Sequence, residues 1–199
     1  MEISRIESNE IKAVVEVHNN SFKGFFLTSL GDNFLSLYYD CIRRDKEAIL
    51  LGIFEEGKLC GFCAATIISK GFNAKVIKRN LLKFMIIGFK LLVLKPTSLT
   101  HLINNFTKSN PELIDDGEYS ELLSIGVSEN KQGLGIGKKL LSELENQLKK
   151  RNCKNLSLTT DFYNNEKTIQ FYKSLGYKIL YEFDAYPERK MLRMIKKIN

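Results

Sequence analysis

A glycine-rich turn between a β-rich segment and an amphipathic helix constrains the fold of this chain more than any other feature. Residues 119–127 form an apolar run that predicts a strand, and residues 135–151 predict a helix with one apolar stripe. Gly133, Gly135 and Gly137 lie at alternate positions between or at the start of these elements. A helix that begins in such a turn exposes unpaired N–H groups at its positive end, where phosphate oxygens can approach because no Cβ obstructs them. The sequence therefore predicts a phosphate-binding turn.

Two familiar phosphate-binding patterns do not match this turn. The Walker A pattern needs a glycine where Gln132 stands and a serine or threonine where Lys139 stands. The dinucleotide pattern GxGxxG can begin at Gly133 but meets Lys138 in place of its last glycine, although Asp161 could act as the ribose-binding acid. A dinucleotide-dependent oxidoreductase stays open as an alternative function.

A third pattern, Gln/Arg-x-x-Gly-x-Gly/Ala, matches residues 132–137, and a second motif follows one strand later. Residues 165–177 read NEKTIQFYKSLGY, which matches N-x-x-A-x-x-F-Y-x-x-x-G-F/Y except for Thr168 at the alanine position. On these two motifs, the sequence from about residue 119 to 183 resembles the GNAT superfamily of acyl-CoA N-acyltransferases.

The resemblance implies an α/β (α+β) fold with a mixed, mostly antiparallel sheet and flanking helices. It implies acetyl-CoA as co-substrate and no metal, with the strand before the turn separating from its parallel neighbour to hold the pantetheine arm. The implied cofactor-binding residues are Ile125, Gly126, Val127, Gln132, Gly133, Leu134, Gly135, Ile136, Gly137, Lys138 and Asn165.

Transfer of an acyl group from a thioester to an amine needs a proton acceptor, N–H donors for the oxyanion and a proton donor for the thiolate. By resemblance, Tyr172 protonates the CoA sulfur, since the pKa of a phenol, about 10, exceeds that of a thiol, about 8.5. Glu121 is the implied proton acceptor, directly or through water, with Glu118 and Asp161 as alternatives, and Val127 or a neighbour supplies the oxyanion N–H. The predicted function is N-acetyl transfer to a small-molecule or peptide amine; a catalytically silent CoA- or nucleotide-binding sensor is the alternative from another class.

The rest of the chain predicts one domain over residues 1–199. The remaining predicted elements are strands at 2–7, 48–54, 59–69, 155–160, 177–183 and 190–198 and helices at 9–19 and 165–174. Ser29 and Asp32 resemble a capping box that opens one more helix. Gly57 suits a hairpin between the strands at 48–54 and 59–69, which should pair antiparallel.

Residues 70–118 interrupt this order as a helical insertion between the third and fourth strands. The chain carries 30 Lys plus Arg and 23 Asp plus Glu, a net charge of +7, and residues 70–95 hold seven basic residues and no acidic one. Five of these cations share an arc of about 140° on a helix at about 100° per residue, with Ile77, Leu81 and Phe84 opposite them. Leu82, Ile86, Phe89 and Val93 intrude on the basic side. A solvated helix face, a wall of the acceptor site and contact with a membrane surface all stay open as roles for this insertion.

No nucleic-acid partner is expected, because basic and aromatic residues do not interleave and no zinc spacing occurs.

Targeting signals and metal ligands are not expected. Residues 1–10 lack the basic start and apolar core of a secretion signal, and no apolar stretch reaches the roughly 20 residues of a membrane span. Cys60 and Cys63 have CxxC spacing, but residues three apart on a strand should point to opposite faces, so free buried thiols are expected. His18 and His101 have no ligand cluster beside them in the sequence. The sequence thus favours a cytoplasmic protein without a metal site or a histidine-based triad.

Overall fold

A mixed seven-stranded sheet organises the part of the chain that this computed structural model describes, residues 1–94, 115–185 and 189–198. Along the chain the strands are β1 (Glu2–Arg5), β2 (Ala48–Glu55), β3 (Lys58–Thr66), β4 (Ser120–Val127), β5 (Asn155–Asp161), β6 (Lys178–Ala185) and β7 (Arg189–Lys197). Across the sheet they follow the order β1-β2-β3-β4-β5-β7-β6. Strands β4 and β5 pair in parallel, and every other neighbouring pair is antiparallel. The predicted mixed, mostly antiparallel sheet is confirmed.

Helices cover both faces of the sheet. They are α1 (Ile11–Ser21), α2 (Phe26–Ser29), α3 (Asp32–Arg44), α4 (Phe72–Arg79), α5 (Leu81–Leu94), α6 (Ile136–Lys149) and α7 (Glu166–Ser174). Helices α1, α3, α4 and α5 contribute to one apolar cluster, and α6 and α7 contribute to another. Strand β2 serves both clusters because its side chains alternate: Leu50 faces the first, whereas Ile49 and Leu51 face the second.

The β2–β3 hairpin forms as predicted, but a bulge changes the expected positions of the two cysteines. Glu56 and Gly57 both have positive φ, 51° and 75°, the combination that a tight hairpin turn requires. The register passes from Ile53 opposite Gly61 to Phe54 opposite Leu59, so Cys60 is the extra residue of a bulge. Cys60 and Cys63 therefore pack into the same apolar cluster, and the expectation that they face opposite sides was wrong. Both are free buried thiols, as expected.

Helix α3 has its N-cap at a different residue from the predicted Ser29. Ser29 ends the short helix α2, and the N-cap of α3 is Gly31, at φ 83° and without a side-chain cap. The Asp32 carboxylate instead accepts a hydrogen bond from the Asn19 amide at 2.8 Å, which ties the start of α3 to α1.

The insertion lies between β3 and β4 as predicted, but its described residues 72–94 form two helices rather than one. The backbone leaves the helical region at Asn80, at φ −119°, and the Asn80 side chain donates to the Val76 carbonyl. The prediction of one helix over residues 72–95, with Leu81 and Phe84 on the same apolar face, was therefore wrong. Phe84 is buried, whereas Leu81 is half-exposed. Residues 95–114, with part of the predicted insertion, lie outside the described residues. Within the described ranges, no helix is both long and apolar enough to cross a membrane.

Candidate active site

Strands β4 and β5 separate to leave a wedge-shaped opening in the sheet. Residues 120–122 pair in parallel with residues 156–158, and no β4–β5 pair follows. Beyond this point β4 stays paired with β3 as far as Val127, and β5 stays paired with β7 as far as Asp161. Residues 124–127 and 159–161 therefore present, at alternate positions, backbone groups that no neighbouring strand of the described sheet bonds. The Val127 and Asp161 carbonyls already accept hydrogen bonds from side chains, and the remaining groups are free for an extended ligand.

A bulge in β4 lies where the wedge begins. Ala65 is opposite Leu122 and Ala64 is opposite Ser124, so Leu123 is the extra residue. Such a bulge bends its strand and raises the local twist, which directs the second half of β4 away from β5. Gly126 fits this half because a Cβ there would lie 2.9 Å from the Phe62 ring.

The glycine-rich turn follows β4 and leads into α6. Gly133 and Gly135 have φ of 78° and 74°, which disfavours other residues, and a Cβ at either position would meet nothing within 4 Å. Gly135 is the N-cap of α6, and the first backbone hydrogen bond there runs from the Lys139 N–H to its carbonyl. Among the described residues, no backbone or side-chain acceptor bonds the N–H groups of residues 133–138. The turn is therefore an open set of N–H donors at a helix start.

Two side chains bond the carbonyl at the end of β4, one from this turn and one from α1. The Gln132 amide donates to the Val127 carbonyl at 3.4 Å, and the Ser21 hydroxyl of α1 donates to the same oxygen at 3.4 Å. Leu134 is exposed, whereas Ile136 is buried in the core beneath the turn. Ile136 thus contributes only its backbone to the open surface.

Asn165 closes the far side of the wedge. Its amide nitrogen donates to the Thr160 hydroxyl at 2.6 Å and to the Asp161 carbonyl at 3.0 Å. These bonds hold the start of α7 against the end of β5 and leave the side-chain oxygen available, since only the amide donates.

Tyr172 lies in the apolar cluster that includes Ile125 and Val127. Its ring contacts Phe171 and Tyr177, and burial raises the pKa of its hydroxyl above the ordinary value. The phenol is therefore protonated at neutral pH.

Glu121 lies before the wedge, on the opposite face of the sheet from Tyr172. Its neighbour Leu122 packs in the cluster with Tyr172, and successive strand side chains alternate between faces. One Glu121 oxygen accepts from Arg193 at 2.5 Å and the other accepts from the Ser69 hydroxyl at 2.5 Å. The ion pair is largely buried, with each side chain 14% exposed.

A second polar group adjoins this ion pair. The Asp115 carboxylate accepts hydrogen bonds from the Tyr119 and Tyr181 hydroxyls. Burial raises the pKa of Asp115, but these hydrogen bonds outweigh it and hold the pKa below its usual value. The Arg193 guanidinium also lies 5.6 Å from the centre of the Tyr119 ring. This face of the sheet therefore holds a network of fixed charges.

The other candidate proton acceptors differ in their surroundings. Asp161 is held by Arg189, whose Nε and Nη2 donate at 3.0 and 2.5 Å. The Arg189 guanidinium also stacks 4.6 Å from the centre of the Phe25 ring, so the loop before α2 reaches the start of β7. Glu118 is exposed, and its side chain makes no hydrogen bond or ion pair with another described residue.

Buried His18 belongs to a hydrogen-bonded chain that the sequence did not indicate. His18 Nδ1 lies 2.7 Å from the Tyr39 hydroxyl, which lies 3.0 Å from the Ser124 hydroxyl at the start of the wedge. Burial lowers the pKa of His18 to about 4, so the ring is neutral. Ser124 contacts Tyr39 rather than the imidazole, so the arrangement is not a nucleophilic triad.

The structure thus gathers most of the predicted site around the wedge: residues 125–127, the turn at 132–138, Asn165 and Tyr172. Glu121 stands apart on the other face. Arg193 was not predicted as a site residue. It lies between the apolar residues Leu192 and Met194, and this alternation of apolar and charged residues indicates a strand with Arg193 on its polar face. No group of three or more potential metal ligands occurs in the described ranges.

The comparisons with known proteins define the family. The family model described as "Acetyltransferase (GNAT) family" matches residues 11–177, and the chain belongs to this family of N-acetyltransferases, which use acetyl-CoA. A search of curated proteins gave no match. The dinucleotide interpretation does not fit, because a doubly wound fold needs a mostly parallel sheet.

Solved structures support the same fold. The ribosomal-protein-S18-alanine N-acetyltransferase of Escherichia coli is 15% identical with a TM-score of 0.63, over 100% of this chain and 94% of that chain. Aminoglycoside 6'-acetyltransferase type Ii is 17% identical with a TM-score of 0.63, over 100% and 98% of the two chains. The PaiA N-acetyltransferase of Thermoplasma acidophilum, solved with coenzyme A, is 17% identical with a TM-score of 0.56, over 98% of each chain.

Proposed function

We propose that this chain transfers an acetyl group from acetyl-CoA to an amine acceptor by direct attack of the amine. The observation that carries the proposal is the wedge between β4 and β5, which opens beside a helix start with unpaired N–H groups. An extended arm can bond the free strand edges while its phosphates meet the turn. Acetyl-CoA, when bound, supplies a thioester carbon that a neutral amine can attack.

The turn binds the pyrophosphate in this proposal. The N–H groups of residues 133–138 have no acceptor among the described residues, and the missing Cβ atoms of Gly133 and Gly135 allow close approach. The exposed Lys138 adds positive charge beside the dipole of α6. The charges suit a pyrophosphate.

The wedge holds the pantetheine arm and the thioester. The backbone groups of residues 125–127 that face away from β3, together with the Asn165 side-chain oxygen, bond the amides of the arm. The N–H of Val127 or a neighbour stabilises negative charge that develops on the thioester oxygen, an effect worth about 3 kcal/mol for a well-placed donor.

Tyr172 donates a proton to the departing sulfur. Burial keeps its hydroxyl protonated until that step. A thiolate in the same water-poor cluster is also poorly solvated, which raises its affinity for a proton and favours the transfer.

Glu121 accepts the amine proton through water in this proposal. Arg193 and Ser69 each use one acceptor site of a carboxylate oxygen, and each oxygen keeps a second lone pair. The amine then approaches from the face that holds Glu121, Asp115 and the contact between Phe25 and Arg189.

The acceptor is a small-molecule or peptide amine, and the protein acts in the cytoplasm. The free cysteines agree with a reducing compartment. Two structural neighbours carry an aminoglycoside and a ribosomal-protein alanine in their names, so both acceptor types occur on this fold.

The test is release of CoA thiol from acetyl-CoA in the presence of a panel of amino sugars, polyamines and peptides with free amino termini. We expect thiol release that depends on both the protein and one class of amine. Binding of NAD without binding of CoA would overturn the proposal.

The ion pair of Glu121 with Arg193 favours a second candidate, a CoA-binding sensor that does not turn over. Arg193 bonds one Glu121 oxygen and Ser69 bonds the other in a largely buried position, an arrangement that also suits a purely structural ion pair. Tight CoA binding with no transfer to any amine in the panel would support this candidate.

A further inference from the structure

Helix α5 turns large apolar side chains away from the protein core. Phe84 is 7% exposed and Ile87 packs against the core cluster of α1 and α3. The outward residues are Leu81, Leu82, Met85 and Ile86, with exposed fractions of 50%, 77%, 58% and 64%. Contiguous exposed apolar side chains of this size mark an interaction site rather than part of the fold.

The chain segment that carries these side chains is cationic. Lys75 and Arg79 pair with Glu47 and Asp45 on the body of the protein. Lys70, Lys78 and Lys83 are exposed, and none of them pairs with an acidic group among the described residues. Residues 70–95 contain no acidic residue.

We propose that this α5 surface, formed by Leu81, Leu82, Met85 and Ile86 with Lys83 and with Lys78 at the end of α4, docks the protein on an anionic lipid bilayer. An interfacial helix buries apolar side chains at the boundary of headgroups and acyl chains, while lysines meet anionic headgroups. The apolar stretch of residues 81–94 contains Lys83 and Lys90 and is followed by Lys95 and Pro96, so it falls short of the roughly 20 apolar residues that a span requires, and the helix would lie along the surface.

Charge complementarity favours the bilayer over a second copy of this chain. In a symmetric dimer the same patch meets itself, which would bring the unpaired lysines of two copies together. An anionic bilayer instead offers an apolar layer beneath a negatively charged surface. The apolar side chains of the α5 surface match the first, and its lysines match the second.

Vesicle flotation of the full chain tests the proposal. The two vesicle types are phosphatidylcholine alone and phosphatidylcholine with about one-third phosphatidylglycerol, at low and high salt. We expect partitioning into the anionic vesicles to be at least about tenfold stronger, and to weaken with salt. The variant Leu82→Asp/Ile86→Asp should lose about tenfold or more of this binding, and Lys78→Glu/Lys83→Glu should lose the preference for anionic lipid.

The matched control is Ile179→Asp/Leu180→Asp, which places two acids at exposed apolar positions on β6, 44% and 46% exposed. It should bind vesicles like the wild type, and thermal melting followed by circular dichroism checks that all variants fold. No flotation, or equal flotation with both vesicle types, would overturn the proposal. So would light scattering that shows a dimer which Leu82→Asp/Ile86→Asp dissociates.

Discussion

Arg193 Nη1 donates to Glu121 Oε1 at 2.5 Å, joining β7 to β4 across the intervening β5. The two residues are 72 positions apart, and each side chain is only 14% exposed. A charge in such a place is stable only while its partner remains, because water cannot replace the lost interaction. The pair therefore links the stability of the sheet to the chemistry proposed for Glu121.

Removal of one charge of this pair should destabilise the fold more than removal of both. Glu121→Leu or Arg193→Met alone leaves one buried charge without its counter-ion and should lower the free energy of unfolding by about 3 kcal/mol, whereas the double variant Glu121→Leu/Arg193→Met should recover most of that loss. Urea denaturation of the two single variants and the double variant measures this coupling. Additive losses would show that the pair contributes nothing beyond its separate side chains.

Tyr172→Phe should lower turnover by about 10²-fold and leave CoA affinity near the wild-type value, because only the proton donor is lost. The matched control is Tyr177→Phe. The Tyr177 hydroxyl is buried without a hydrogen-bond partner in the described part of the chain, so its loss should leave turnover unchanged and stability equal or slightly higher. Thiol-release kinetics on both variants decide the role, and a Tyr172→Phe enzyme as fast as the wild type would refute it.

Gly135→Ala and Gly71→Ala compare two glycines in the same backbone setting. Each is the N-cap of a helix, with φ of 74° and 68°, and a Cβ at either site would meet nothing within 4 Å. Both variants should lose about 1 kcal/mol of stability from the left-handed conformation. Only Gly135→Ala should weaken CoA binding, by about tenfold, since its methyl group would occupy space needed by phosphate. Equal CoA affinities for the two variants would place the phosphate elsewhere.

His18 should make the fold sensitive to mild acid. Burial lowers its pKa to about 4 in the folded protein, against about 6.5 when unfolded. Above pH 6.5 the His18 side chain is neutral in both the folded and the unfolded protein. As the pH falls from 6.5 to 4, only the unfolded protein takes up a proton at His18. The free energy of unfolding therefore falls by up to about 3 kcal/mol.

The variant His18→Gln isolates this contribution. Its stability should fall less than that of the wild type between pH 7 and pH 4, as urea denaturation at both values measures. Parallel losses in the two proteins would show that His18 does not titrate differently on folding.

The elements that sequence analysis predicted well are those set by local chemistry. Gly57 marked the β2–β3 hairpin, and the glycines after Val127 marked the start of α6. The backbone angles of these glycines depend on neighbouring residues in the chain, so the local sequence pattern was enough to predict the two turns.

The features that could not be predicted depend on distant contacts. The bulges at Cys60 and Leu123 arise from pairing with other strands, and they reposition side chains that alternation alone assigns to another face. The capping-box pattern at Ser29 was overridden by the short helix before Gly31. No local pattern reveals that Arg193 meets Glu121, because β5 must first bring the two strands into one sheet.

The central claim is that the wedge and the glycine turn bind acetyl-CoA, and calorimetric titration of the wild-type protein tests it most directly. We predict saturable binding of acetyl-CoA at one site per chain, no comparable binding of NAD, and weaker acetyl-CoA binding by Gly135→Ala but not by Gly71→Ala. Absence of acetyl-CoA binding, or NAD binding of equal strength, would contradict the account.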